Sequence, residues 1–212
     1  FVASPRLAPL FLSPAMETYD LHAAVRAGSL AQLPPEALTL ASLTARNSAG
    51  NTPLHLAAKT GSLRDLPPAV LTNATLTIKN DAGYTPLHHA AIGGHLDQIP
   101  RALLTDDTLA VRSNAGYSVF HLAAAHGHLD QLPAALLTAD VVLCKTDVGN
   151  TLLHEAAENG TLPLVPASFL TAENLVIKNI GGESVLHVAA FNCHLDQMPR
   201  AHFANAKAAA AT

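Results

Sequence analysis

The chain has 212 residues, enough to bury a core, with 49% apolar and 13% charged residues; average soluble domains carry roughly 25% charged. Aromatics make up 4% and tryptophan is absent, so a core must be assembled from alanine, leucine, valine and isoleucine. A formal charge of −4 and two cysteines argue against a nucleic-acid binder, a membrane-surface binder and a disulfide framework, and suit an intracellular, cytoplasmic chain.

From the N-terminus, residues 1–16 hold a short apolar patch bounded by Pro9 and Pro14, too brief for the apolar region of a signal peptide. They read as a leader or appended segment, with Met16 a plausible start. No uncharged apolar run reaches the roughly 18 residues of a membrane helix. From Glu17 to Ala204 one unit is written six times, over about 17–49, 50–82, 83–115, 116–148, 149–181 and 182–204. Gly50, Gly83, Gly116, Gly149 and Gly182 stand 33 apart; so do His22, His55, His88, His121, His154 and His187, and so do Pro34, Pro67, Pro100, Pro133, Pro166 and Pro199.

Within a unit, TPLHHAAIGG places Leu87, Ala90, Ala91 and Gly94 at the i, i+3, i+4, i+7 spacing of one helix face. Thr85 suits an N-cap, Pro86 the first helical position, and the glycine column from Gly28 to Gly160 a left-handed C-cap. A helix of about nine residues is unstable alone in water and must pack on its copies. The runs GNTPLHLAAKTGSL and GYTPLHHAAIGGHL resemble the ankyrin repeat in period, motif and helix order. That resemblance implies an all-α solenoid of helix-turn-helix repeats with hairpin-like loops projecting to one side, and a structural role for His55, His88, His121, His154 and His187 in hydrogen bonds within and between repeats.

The second half of the unit departs from the family, reading LPPEALT, LPPAVLT, IPRALLT, LPAALLT and VPASFLT. A proline inside a helix costs ~3 kcal/mol and biases the preceding residue away from helix. The spacing therefore predicts a turn over His95–Ile99, with Pro100 in the first turn of a shortened second helix. The threonines Thr39, Thr72, Thr105, Thr138 and Thr171 would cap one more turn, leading to Leu43, Leu76, Leu109, Val142 and Leu175. The outer copies differ as caps would: Tyr19-Asp20 replaces Thr-Pro, Cys193 enters the glycine column, and His202-Phe203-Ala204 replaces Leu-Leu-Thr. Residues 205–212 form an alanine-rich tail.

Twelve histidines raise a metal reading. Stacked helices lie ~8–10 Å apart, whereas ligands lie ~2.0–2.1 Å from a zinc, so the column makes a poor chelator and no metal or cofactor is expected. His154-Glu155-Ala-Ala-Glu158 lacks the second histidine of a zinc helix, and no phosphate loop or nucleophile motif occurs. Cys144 falls in an apolar column with Ala45, Ile78, Val111 and Ile177 and reads as core. Arg46, Lys79, Arg112, Lys145 and Lys178 form a basic column, suited either to an acidic partner or to solubility.

The positions that break the repeat carry the binding expectation. After the loop glycines come Asn51, Tyr84, Tyr117, Asn150 and Glu183; on the helix face opposite Leu87 lie His89, Ile92 and Gly93, with Leu56, Lys59 and Thr60, then Leu122, Ala125 and His126, then Glu155, Glu158 and Asn159 as equivalents. In ankyrin proteins such positions line the concave surface that grips partners. The candidate partner-binding residues are Asn51, Asp81, Tyr84, His89, Ile92, Asn114, Tyr117, His126, Asn150, Glu155 and Glu158. The expected function is a monomeric, non-enzymatic scaffold for protein–protein interaction; the alternative is an accessory repeat arm of a larger enzyme or effector.

Overall fold

In the computed structural model, which describes residues 19–198, one local device starts five of the six first helices described. Thr85 is extended (φ −105°, ψ 168°); its Oγ1 accepts the His88 N–H, and His88 Nδ1 accepts the Thr85 N–H at 3.1 Å. This is a capping box with histidine in the place of the usual glutamate. Pro86 occupies the first turn, and Gly94 ends the helix in the left-handed region (φ 75°, ψ 34°), which a side chain makes costly. In the last described unit Cys193 keeps that conformation at φ 62°.

The first helices are α1 (Leu21–Arg26), α3 (Pro53–Thr60), α5 (Pro86–Gly93), α7 (Val119–His126), α9 (Leu152–Asn159) and α11 (Val185–Phe191). Each packs on the next in chain order. The seam is one leucine or phenylalanine with two alanines per unit: Leu54, Ala57 and Ala58, then Leu87, Ala90 and Ala91, then Phe120, Ala123 and Ala124, all buried. The alanines let neighbouring backbones approach closely, which is how a core almost without aromatics still closes. In the first unit Asp20 caps α1 by accepting the Ala23 N–H at 3.0 Å, one residue later than the threonine or serine of the other copies.

The second half is not one shortened helix but three single turns in series. A 3₁₀ turn, Leu96–Gln98, lies inside the expected turn. Ile99 is then extended (ψ 132°), as the residue before a proline prefers, and Pro100 caps a second 3₁₀ turn, Arg101–Leu103. Thr105 is extended again and caps α6 (Asp106–Leu109), its Oγ1 accepting the Thr108 N–H. The pattern repeats in α2 (Leu40–Leu43), α4 (Asn73–Leu76), α8 (Ala139–Leu143) and α10 (Ala172–Leu175), which bury Leu43, Leu76, Val142 and Leu175. Side chains tie these pieces together: Ser42, Thr75 and Thr108 donate to the carbonyls of Ala37, Val70 and Leu103 at 2.6, 2.6 and 2.7 Å.

Between units, five described loops close on themselves, and the last four also bond to the loop before. The Asn80 N–H donates to the Tyr84 carbonyl at 2.8 Å, while the Asn114 N–H donates to the Ala82 carbonyl of the preceding loop at 3.0 Å. The basic column runs along this edge and bonds across it. Arg46 Nη1, Lys79 Nζ, Arg112 Nη1 and Lys145 Nζ donate to the carbonyls of Lys79, Arg112, Lys145 and Lys178 at 2.8, 2.7, 2.6 and 3.0 Å. Each cation thus binds the backbone of its own counterpart one unit on. The leader 1–16, the replaced residues 202–204 and the tail 205–212 lie outside the described residues.

Candidate partner-binding face

The histidine column fastens the face from beneath. With Nδ1 accepting from the cap residue, Nε2 carries the proton and donates to a carbonyl in the following unit. His55 reaches Tyr84, and His88 reaches Tyr117, both at 3.0 Å; His154 reaches Glu183 at 3.2 Å. His121 instead reaches Cys144 at 2.9 Å. Burial opposes a second proton on each ring, and His55, His88 and His121 are held at about 4. Cys144, expected in the core, is half-buried: it caps α8, its carbonyl serves His121, and its Sγ receives the Arg112 guanidinium.

Above this column lies a continuous strip of rings. His89 sits edge-on to His55 with centroids 5.4 Å apart, and edge-on to Tyr84 at 6.2 Å; Tyr84 also stands edge-on to His88 at 5.6 Å. His89 Nδ1 is buried without a hydrogen-bond partner among the described residues, and burial holds the ring at about 4. Tyr84, Tyr117 and Ile92 are half-buried against the core, each leaving a surface to solvent. His126 and Glu158 are exposed on the same helix face.

Several expected contact residues are instead committed internally. Glu155 is 4% exposed, which corrects its reading as surface. Its Oε1 accepts from Asn150 Nδ2 at 3.0 Å, it is hydrogen-bonded to the Tyr117 phenol, and burial raises its carboxyl above the usual range. Burial and the neighbouring Glu155 charge push Tyr117 up to about 12. Asn150 Oδ1 accepts from Asn179 at 3.0 Å, and Asn51 Oδ1 from Asn80 at 2.8 Å. Asp81 pairs with Arg46 at 2.8 Å, and Asn114 Nδ2 donates to the Asp81 carbonyl at 2.9 Å. Each of these side chains has at least one polar atom engaged within the array.

A second histidine column escaped the sequence reading. His128 Nδ1 donates to the Ala91 carbonyl at 2.7 Å and His194 Nδ1 to that of Ala157 at 2.9 Å, their rings lying over Gly94 and Gly160. Spacing could have shown it, since His95, His128 and His194 share the 33-residue period, with Thr161 filling the gap. Among the described residues no three His, Cys, Asp or Glu side chains gather to hold a metal ion. No described helix is long and apolar enough to cross a membrane.

Comparison with known proteins agrees with this geometry. A family model of three ankyrin repeat copies matches residues 69–142, and the single ankyrin repeat matches residues 49–66. No curated protein matches the chain in sequence. Residues 49–66 and 69–142 are thus ankyrin repeats in an all-α solenoid, and such repeats generally mediate protein–protein interaction.

Proposed function

We propose that residues 17–204 act as one continuous repeat domain that holds a protein partner on the face formed by the loop tips and first helices, without catalysis of its own. The observation that carries this reading is the strip of half-exposed rings, Tyr84, His89 and Tyr117, fastened to an array whose backbone is tied unit to unit. Such a surface is ordered before contact, so docking loses little conformational entropy, and tyrosine is enriched where binding energy concentrates. The reading includes a monomeric protein in the cytoplasm with a protein partner, no metal, no cofactor and no nucleic acid.

The test is retention of partners from a cell lysate by wild type and by Tyr84→Ala/His126→Ala. Tyr84 is linked to the preceding unit through its backbone carbonyl, which the substitution keeps, and retention is compared below the melting temperature of both proteins. A protein held by wild type and lost by the variant is the expected result. Identical retention by both rejects this face.

A further inference from the structure

One position per unit, the seventh helical position of α3, α5, α7 and α9, forms a strip along the face. Read with its outer equivalents it runs Arg26, Lys59, Ile92, Ala125, Glu158, Phe191. Arg26, Lys59 and Glu158 are exposed, and Ile92 and Ala125 half-buried. From Arg26 to Glu158 the surface therefore passes from cationic through apolar to anionic, before the exposed Phe191. Neither Lys59 nor Glu158 forms an ion pair with any described residue. Electrostatics tie the strip together: the Lys59 charge acts on His89 and His126, and the Glu158 charge on Tyr117 and Glu155.

Packing does not require this order. A cation in the last turn of a helix, as at Lys59, is favoured by the helix dipole, whereas Glu158 in the same place is disfavoured. Glu158 also stands three residues from Glu155 on one helix face, a repulsive spacing. A residue set against its local electrostatics without a compensating internal contact points to a use outside the fold.

We infer that this face selects an extended polypeptide segment of complementary order, acidic beside Lys59, apolar or aromatic over Ile92 and Ala125, and basic beside Glu158. The inference rests on the binding face proposed above and adds the chemistry of its occupant. Three helix-to-helix steps of ~8–10 Å separate Lys59 from Glu158, so the two charges of the segment lie about eight residues apart if it is fully extended at ~3.3 Å per residue.

The experiment pans the full chain with a displayed random peptide library and then measures the enriched peptides singly. Those that bind wild type and are lost on Tyr84→Ala should carry an acidic and a basic residue flanking an apolar one. Neutralising the peptide's acidic residue should weaken binding to wild type about fivefold but leave binding to Lys59→Ala unchanged; the basic residue should behave likewise toward Glu158→Ala. Peptides lost on Tyr84→Ala yet indifferent to Lys59 and Glu158 overturn the charge order and leave the face standing. A library with no binder sensitive to Tyr84→Ala overturns the face and the charge order together.

Discussion

His88 joins two units with one ring: Nδ1 accepts the Thr85 N–H at 3.1 Å, and Nε2 donates to the Tyr117 carbonyl at 3.0 Å. Only the neutral Nε2–H tautomer can do both, because a protonated Nδ1 would face a donor. The ring is therefore a cap and a cross-link at once, and its protonation would break the first role while burying a charge.

Acid should therefore dismantle the array. His55, His88 and His121 are held at about 4, mainly by burial, against an ordinary value of 6.5. Between these limits the unfolded chain binds more protons than the folded one. The stabilisation is full above about pH 6.5 and is lost as pH falls toward 4, at ~1.4 kcal/mol per pH unit for each ring. Melting temperature followed by circular dichroism from pH 7.5 to 4.5 should drop steeply below 6.5. A flat profile would mean that the rings are not buried in the neutral form.

Removing one ring should cost more inside the array than at its last described unit. His88→Ala strands the buried Thr85 N–H, at ~1–3 kcal/mol, and removes the bond to the Tyr117 carbonyl, which keeps the Ser113 N–H. His187 is exposed, and the hydrogen bonds resolved for its ring are those to Ser184. His187→Ala should therefore destabilise by less than half as much in urea unfolding; equal losses would show that the link to the next unit contributes nothing.

The basic column makes a contrasting prediction. Its bonds end on neutral carbonyls, so screening by salt acts on them less than on ion pairs. Lys79→Gln/Lys145→Gln should lower stability by about 1 kcal/mol, since both side chains are exposed. That loss should be nearly the same at 0.1 M and ~1 M salt. A loss that vanishes at high salt would return the column to ordinary surface electrostatics.

Glu155 opposes the histidines in its pH dependence. Burial raises its carboxyl above 4.5, so its contribution is greatest below that value and declines as pH rises through the folded value. Glu155→Gln keeps an oxygen for Asn150 and removes the buried charge. It should raise the melting temperature at pH 7.5 by about 2–4 °C and change it little at pH 4.5. Destabilisation at neutral pH would show that the carboxylate is needed by Asn150 and Tyr117 as an ion.

The first helices were legible because their constraints sit on side chains: the Thr-Pro start, the leucine and alanine face, and the terminal glycine. The second half was less so. The proline column announced a turn, but whether the residues after Pro100 continue as one helix depends on Leu104 and Thr105, which leave helical geometry before α6 begins. Glu155 misled because its column varies as a surface does, while in this one unit Asn150 and Tyr117 close over it. The destination of Arg46 and Lys79 was invisible for another reason: a backbone carbonyl is common to every residue and leaves no letter in the sequence.

The cross-links between units also set a rule for copy number. Lys79 reaches the carbonyl 33 residues on, and His55 the one 29 residues on, each in the adjoining unit. Excision of residues 83–115 would bring Lys79 Nζ to the Lys145 carbonyl and His55 Nε2 to that of Tyr117, leaving every bond a partner of the same kind. A loss of one residue more or fewer would shift both ladders out of phase for all that follows. Duplication and deletion can thus lengthen or shorten this protein only in whole steps, and point mutation can then write a different side chain onto each step of the outer face.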